Sequence, residues 1–252
     1  MRVRRQLKSL YEYFVLYGGL LLFALLCLVW SLPAGLVRHL LPRRVAERIG
    51  QSAIMVTFRI YLAVVRASGL VKYDLTALDA LRGEPLIITT NHPALIDVVP
   101  IGSRLPRMVC VLKANLLSNP LLGGGARMAG YISNDSTGNL IRRAAIATRE
   151  GCQLLIFPEG TRTVMDPVNP FKGGFGLVAK KAGVPIQTAF IEASSPFLGK
   201  RWPLWKKPEF PLVYRVRLGE RFEATGDVKK FVADLEEYYR REMREQKPGK
   251  HA

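Results

Sequence analysis

Three rhythms of apolar and polar residues follow one another along this chain. From Tyr13 to Val37 (YFVLYGGLLLFALLCLVWSLPAGLV) there is no charged residue. Up to Leu32 this is about 20 residues, or about 30 Å as a helix, which matches a bilayer's hydrocarbon core. Pro33 and Gly35 are expected to end the helix there. Arg2, Arg4, Arg5 and Lys8 precede the stretch, and Arg38, Arg43, Arg44 and Arg48 follow it. It is too long for the apolar core of a cleaved leader, and no clean small-x-small cleavage site follows. Basic residues on both flanks leave the orientation open: a single span puts the rest of the chain across the membrane from the N-terminus, and a re-entrant pair keeps both on one face.

The second rhythm is helical. Between Ile49 and Val71, the apolar residues Ile54, Met55, Phe58, Tyr61, Leu62 and Val65 recur at helical spacing, while Ser52, Arg59 and Arg66 fall on one polar stripe. Such an amphipathic helix lies either in the membrane interface or against a globular domain.

The third rhythm alternates short apolar runs with helical patterns. Strands are expected at Pro85–Thr90, Arg107–Leu112, Gln153–Phe157, Val184–Ile191 and Val213–Leu218. Helices are expected at Gly138–Glu150, closed by Gly151, at Gly174–Ala182, ended by Gly183, and at Asp227–Glu245. This alternation predicts an α/β domain with a largely parallel sheet flanked by helices, preceded by an N-terminal membrane-associated helical pair. The boundary is expected near residue 72, giving 1–72 for membrane anchoring and 73–252 for one catalytic domain. Only the basic N-terminal arm and the tail Gln246–Ala252 read as loose.

Composition narrows the class. Among 252 residues, 49% are hydrophobic, which excludes general disorder. Lys and Arg number 37 against 20 Asp and Glu, a net charge of +17, so an anionic partner is expected, either nucleic acid or an anionic lipid surface. The apolar N-terminus decides for lipid. Cys27, Cys110 and Cys152 are scattered and odd in number, so neither a disulfide scaffold nor a metal site is expected.

Chemistry belongs at the strand ends. The first long strand runs into Asn91-His92-Pro93-Ala94-Leu95-Ile96-Asp97. The other histidines are His39, in the basic connector, and His251, the penultimate residue. His92 is therefore the histidine placed for general-base work at neutral pH. Pro93 suits the first position of a helix, and from there Asp97 reaches back to the imidazole. A carboxylate on one ring nitrogen fixes the tautomer and leaves the other free to accept a proton. The plainer reading is a histidine capping a helix and an aspartate paired with an arginine.

The third strand ends in Phe157-Pro158-Glu159-Gly160-Thr161-Arg162. Gly160 permits positive φ or close backbone approach, and Arg162 suits a phosphate or carboxylate. Phe171-Lys172-Gly173-Gly174 sets a cation where a helix opens, and backbone N–H groups there can hold an anion. Taken singly, these are also compatible with an ordinary turn and an ordinary loop.

In combination they are more specific. Asn-His-x4-Asp at 91–97, Phe-Pro-Glu-Gly-Thr-Arg at 157–162, Phe-Lys-x-Gly at 171–174 and Val-Pro-Ile at 184–186, in this order, resemble the glycerolipid acyltransferases typified by 1-acylglycerol-3-phosphate acyltransferase. The resemblance covers roughly Leu81 to Leu218. It implies an α/β fold and transfer of an acyl group from acyl-CoA or acyl-carrier protein to a lipid hydroxyl, with no cofactor or metal. It implies His92 as general base, Asp97 as its orienting carboxylate, and Asn91, Glu159, Gly160, Thr161, Arg162 and Lys172 around the acceptor. The family's Lys-x-Glu-Leu element reads Lys113-Ala114-Asn115-Leu116, which makes Lys113 a further anion-binding candidate.

Two departures bear on the acceptor. Where the family often carries Gly-x-x-Phe-x-x-Arg, this chain has Gly130-Tyr131-Ile132-Ser133-Asn134-Asp135-Ser136, so Ser136 stands in the arginine's place. The fourth motif continues Gln187-Thr188 without its second proline. The first departure opens the acceptor to another lyso-lipid, such as a lyso-ornithine lipid, or a polyene-type alcohol, unless Lys113 or Arg127 replaces the missing charge. A non-catalytic membrane scaffold is the third alternative, and the His92–Asp97 pair argues against it.

The segment Phe197–Arg221 holds Lys200, Arg201, Lys206, Lys207, Arg215, Arg217 and Arg221 with Trp202 and Trp205 interleaved. Beside an apolar anchor this reads as an interfacial patch on membrane lipids rather than a nucleic-acid surface. The resemblance places such an enzyme on a bacterial inner membrane, with its catalytic domain on the cytoplasmic face.

Overall fold

The computed structural model describes residues 2–245. The tail 246–252, expected to be loose, lies outside the described residues, and His251 with it. In chain order the elements are α1 (Arg2–Val37), α2 (Arg43–Ala67), β1 (Val71–Asp74), a 3-10 turn (Thr76–Leu81), β2 (Ile87–Thr90), α3 (Val98–Gly102), β3 (Met108–Leu112), α4 (Ala114–Leu117), α5 (Gly123–Met128), β4 (Ile132–Ser133), α6 (Thr137–Arg149), β5 (Gln153–Ile156), α7 (Gly173–Ala182), β6 (Ile186–Ala193), β7 (Leu212–Phe222) and α8 (Val228–Glu245).

One seven-stranded sheet is ordered β1-β7-β6-β2-β5-β3-β4. The five strands from β6 to β4 run parallel; β7 is antiparallel to β6, and β1 runs with β7. Every residue of β2 and β5 is buried, as strands covered on both faces must be. The connection from β2 to β3 skips β5 in one direction, and that from β5 to β6 skips β2 in the other. Right-handed crossovers in opposite directions put their helices on opposite faces. The switch point, where a doubly wound sheet places its ligand in a crevice, therefore falls between the carboxyl ends of β2 and β5.

Both long helices are long and apolar enough to cross a membrane. α1 does not stop at Leu32. It passes through Pro33 to Val37, about 54 Å at 1.5 Å per residue. Packing offsets the hydrogen bond that Pro33 removes. Ser31 Oγ donates to the Leu121 carbonyl (2.7 Å) and accepts from Gly125 N (3.3 Å), and Ala34 is buried. Gly124 lets the backbones touch, since a Cβ there would lie 1.9 Å from the Ser31 carbonyl oxygen. The basic N-terminal arm is not loose either, because α1 begins at Arg2 and Glu12 pairs with Lys207 (2.5 Å). Leu7, Leu10, Phe14, Leu21, Leu25 and Leu36 form an exposed apolar stripe on α1. α2 begins at Arg43, before the expected Ile49, and buries Ile54, Phe58, Tyr61 and Leu62 in the same core as β2 and β5.

The basic segment after Phe197 is narrower as a patch than its sequence suggests. Lys207 pairs with Glu12, Arg215 with Asp74 (3.2 Å), Arg217 with Glu192 (3.0 Å) and Glu242 (3.3 Å), and Arg221 with Glu84 (2.7 Å). Lys200, Arg201 and Lys206 remain outside those pairs, next to an outward Leu204 and a Trp205 that is 77% exposed.

Candidate active site

β2 ends in Thr90 and delivers Asn91 and His92 to the crevice. Asn91 is buried and works as an extension of the strand: its Nδ2 donates to the Ile191 carbonyl (2.9 Å) and its Oδ1 accepts from Ile191 N (2.7 Å). Both ends of the amide are thereby engaged by β6. Pro93 does not open a helix as expected. Residues 93–97 form a tight turn, and α3 starts only at Val98.

The turn still closes the expected pair. His92 Nδ1 lies 2.8 Å from Asp97 Oδ2, and Ala94 N donates to that same oxygen (2.8 Å). Asp97 is fully buried, and its other oxygen accepts from Tyr214 Oη at 2.6 Å. Burial, and then the adjacent carboxylate, hold the Tyr214 phenol well above its ordinary pKa, so it remains a donor. The imidazole stacks on Phe157, with ring centroids 4.0 Å apart. Its Nε2 has no hydrogen-bond partner among the described residues, and its side chain is 18% exposed. With Nδ1 held by a carboxylate, Nε2 is the nitrogen left to accept a proton.

The turn after β5 fixes the backbone on which the imidazole stands. His92 N donates to Glu159 Oε1 (3.1 Å), and the His92 carbonyl accepts from Thr163 N (2.7 Å). Glu159 is completely buried and also accepts from Thr163 Oγ1 (2.6 Å) and Asn169 N (2.8 Å). Burial raises its carboxyl pKa, which these donors partly offset. Glu159, expected around the acceptor, is buried as a bracket beneath the His92 loop.

Arg162 reaches sideways, its Nη1 donating to the carbonyls of Leu198 (2.9 Å) and Gly199 (3.2 Å). The Leu198 carbonyl also accepts from Leu95 N (3.0 Å), which joins three loops at one atom. Leu198 has φ of 59°, a strained value for leucine that this junction over-determines. Nε and Nη2 of Arg162 remain outside these bonds. Gly160 has φ of 65°, and the Lys172 chain passes over it, its Cγ 3.3 Å from where a Cβ would stand. Thr161 is half-buried in the same turn, and Lys172 is exposed. Lys113 is exposed at the carboxyl end of β3, two strands or roughly 10 Å across the sheet from β2.

The charge missing at residue 136 has no direct replacement in that turn. Ser136 caps α6, its Oγ accepting from Asn139 N (3.4 Å). Arg127, a candidate substitute, donates to the Leu117 carbonyl. Tyr214, Phe157, Thr163 and Asn169 were not singled out from sequence. Phe157, Thr163 and Asn169 lie within or beside a motif, but Tyr214 is 117 residues from Asp97 and carries no local signal. Among the described residues no cluster of His, Cys, Asp and Glu is placed to hold a metal ion.

The site is thus a carboxylate-held histidine at the switch point of an α/β sheet, in a chain that also carries two long apolar helices. Residues 72–192 match the family model Acyltransferase, so this stretch is an acyltransferase family domain and the protein is an acyltransferase. The chain is 23% identical over 221 residues to a 1-acyl-sn-glycerol-3-phosphate acyltransferase of Pseudomonas aeruginosa, covering 85% of this chain and 83% of that one. It is 33% identical over 130 residues to a lyso-ornithine lipid O-acyltransferase of the same species, about half of each chain (46% and 49%). Its fold is that of the Thermotoga maritima 1-acyl-sn-glycerophosphate acyltransferase, with a TM-score of 0.59 and 20% identity over 100% of this chain and 99% of that one. The two apolar helices and this kinship make the protein membrane-associated.

Proposed function

We propose that the protein transfers a fatty acyl group from acyl-CoA or acyl-carrier protein to the free hydroxyl of a lysophospholipid such as 1-acylglycerol-3-phosphate. The observation that carries this reading is the His92 Nδ1–Asp97 contact of 2.8 Å, with Nε2 left open to the crevice. Nε2 takes the proton of the acceptor hydroxyl as its oxygen attacks the thioester carbonyl. The C–O bond forms, the C–S bond breaks, and the imidazolium returns the proton to the departing thiolate. Asp97 orients the ring and stabilises the imidazolium. The free edge of Arg162, with Lys172 and Lys113, meets the phosphates of acceptor or donor. Glu159 acts one step back by holding the His92 backbone, and Asn91 by tying the end of β2 to β6.

The acyl donors are cytoplasmic, so the crevice faces the cytoplasm from the inner membrane of a bacterium. The apolar hairpin and the Leu204–Trp205 loop meet the lipid. A second reading, acylation of a lyso-ornithine lipid, is favoured by Ser136 capping α6 where the family often carries an arginine, and by the 33% local identity. Purified enzyme, labelled acyl donor and a panel of lyso-lipids separate the two. The first reading requires acylation of lysophosphatidic acid; turnover of lyso-ornithine lipid without it transfers the assignment to the second. Acylation that persists in His92→Ala membranes would overturn the mechanism for both.

A further inference from the structure

The opposite end of the sheet carries a second polar feature. Arg107 enters β3 and Cys152 enters β5, so both stand at the strands' amino ends, away from His92 and Glu159. β5 alone puts about 13 Å between the two ends. Here the first turns of α2 and the last turn of α6 enclose a cavity of about 200 Å3, lined in part by Arg48, Gln51, Arg107 and Arg149.

The charges around it do not cancel. Arg43 pairs with Glu47 (3.1 Å) and Glu150 (3.3 Å), and Arg44 pairs with Glu150 (3.3 Å). Those two guanidiniums engage both carboxylates. Arg48 and Arg149, exposed at the mouth, have no ion pair among the described residues. Arg107 Nη2 donates to the Glu150 carbonyl (2.6 Å), while its Nε is buried without a partner.

Gln51 also lines this space. Gln51 is 4% exposed, and its Nε2 donates to the Ala129 carbonyl (3.2 Å), which settles which end of the amide is which. Its Oε1 is itself buried and has no partner among the described residues. Every cation is an arginine, whose planar fork matches phosphate oxygens in pairs.

We propose that this cavity is a phosphate-binding site separate from the acyl-transfer centre. The anionic oxygens rest on Arg48, Arg107 and Arg149. The phosphate comes either from an anionic lipid headgroup or from solution. The headgroup source fits the position, because Leu40, 81% exposed, lies just before the arginine turns of α2.

Arginine-specific labelling of the full-length enzyme with phenylglyoxal, read residue by residue by peptide mass spectrometry, tests this. The probes are inorganic phosphate, phosphatidylcholine vesicles containing phosphatidic acid, and pure phosphatidylcholine vesicles. Phosphate or phosphatidic acid is expected to slow labelling of Arg48 and Arg149 about tenfold, the weight of one charge-assisted contact. Protection by inorganic phosphate supports the site with a solution ligand; protection by phosphatidic acid vesicles alone supports it with a headgroup. No protection by either, or equal protection by pure phosphatidylcholine, overturns it. A His92→Ala variant is expected to keep the protection, so loss of acyl transfer and loss of this site are separable. In Arg48→Gln/Arg149→Gln, phosphate is expected to lose its protection of Arg107 while acyl-transfer kcat stays within about twofold of the parent. Undiminished protection of Arg107 in that variant also overturns the proposal.

Discussion

Tyr214 donates a 2.6 Å hydrogen bond to Asp97 Oδ1, the oxygen that His92 does not use. The contact exists because β7 runs antiparallel to β6: its first residues lie at the carboxyl end of the parallel strands, where Ala193 pairs with Tyr214. The tyrosine thus completes a line from phenol to carboxylate to imidazole. On the proposed mechanism it positions the group that positions the base.

Tyr214→Phe keeps the ring and deletes the donor. Asp97 then holds a fully buried oxygen without a partner, at a cost of about 1.5–3 kcal/mol. If that cost falls on the geometry of the imidazole, kcat drops about tenfold or more while the acceptor KM changes little. Steady-state kinetics of the purified variant check this, with thermal melting to confirm the fold. An unchanged kcat would reduce Tyr214 to a packing residue.

Glu159 predicts a pH dependence of stability. Burial raises its carboxyl pKa above the unfolded value, so the folded protein holds the proton more tightly. Its contribution to stability is then greatest below the unfolded pKa of about 4.5, and declines as pH rises toward the folded pKa. Glu159→Gln removes this slope. It also replaces one accepting oxygen with an amide donor, so it loses the bond from Asn169 N or the pair from His92 N and Thr163. The melting temperature of the parent relative to the variant is expected to fall as pH is raised from about 4.5. A difference that rises over the same range would contradict the assignment.

Gly124 carries the docking of the apolar hairpin. A Cβ there would stand 1.9 Å from the Ser31 carbonyl oxygen, inside rigid backbone on both sides. Gly124→Ala must push α1 off α5, at a cost of about 1–3 kcal/mol or more. The expected result is a lower melting temperature in detergent and earlier proteolysis of α1, with the His92 turn intact. Gly138→Ala is the control, since a Cβ there meets nothing within 4 Å.

These residues show how much the sequence disclosed. The strand-and-helix alternation placed β2, β3, β5, β6, β7 and the three longer helices of the sheet domain, because each has its own apolar period. His92 and Asp97 were legible because they share one short turn. Local signals misled where packing decides. Pro33 reads as a stop, yet the glycine face of α5 holds the turn together. Pro93 reads as a helix start, but the chain is held in a turn by Ala94 N on Asp97. Glu159 reads as an acceptor-binding group within a motif, and only the folded loop shows His92 N, Thr163 and Asn169 closing over it. β1 and the β4 dipeptide are too short to carry a period at all.

On the proposed function, Arg162 links the fold to the choice of acceptor. One nitrogen is fixed by the Leu198 and Gly199 carbonyls, which leaves Nε and Nη2 free on a group already held in place. Arg162→Lys keeps the charge but loses the fork, and a single ammonium cannot both hold those carbonyls and grip a phosphate. For an acceptor with a phosphate monoester, KM is expected to rise about tenfold, near 1.4 kcal/mol, with a smaller fall in kcat. For a lyso-ornithine lipid, which offers no phosphate, the same substitution is expected to change KM less than about threefold. Parallel kinetics with the two acceptors check this. Equal losses with both would place Arg162 in the scaffold of the 194–199 loop or at the donor's phosphates, and would leave Lys113 and Lys172 as the cations facing the acceptor.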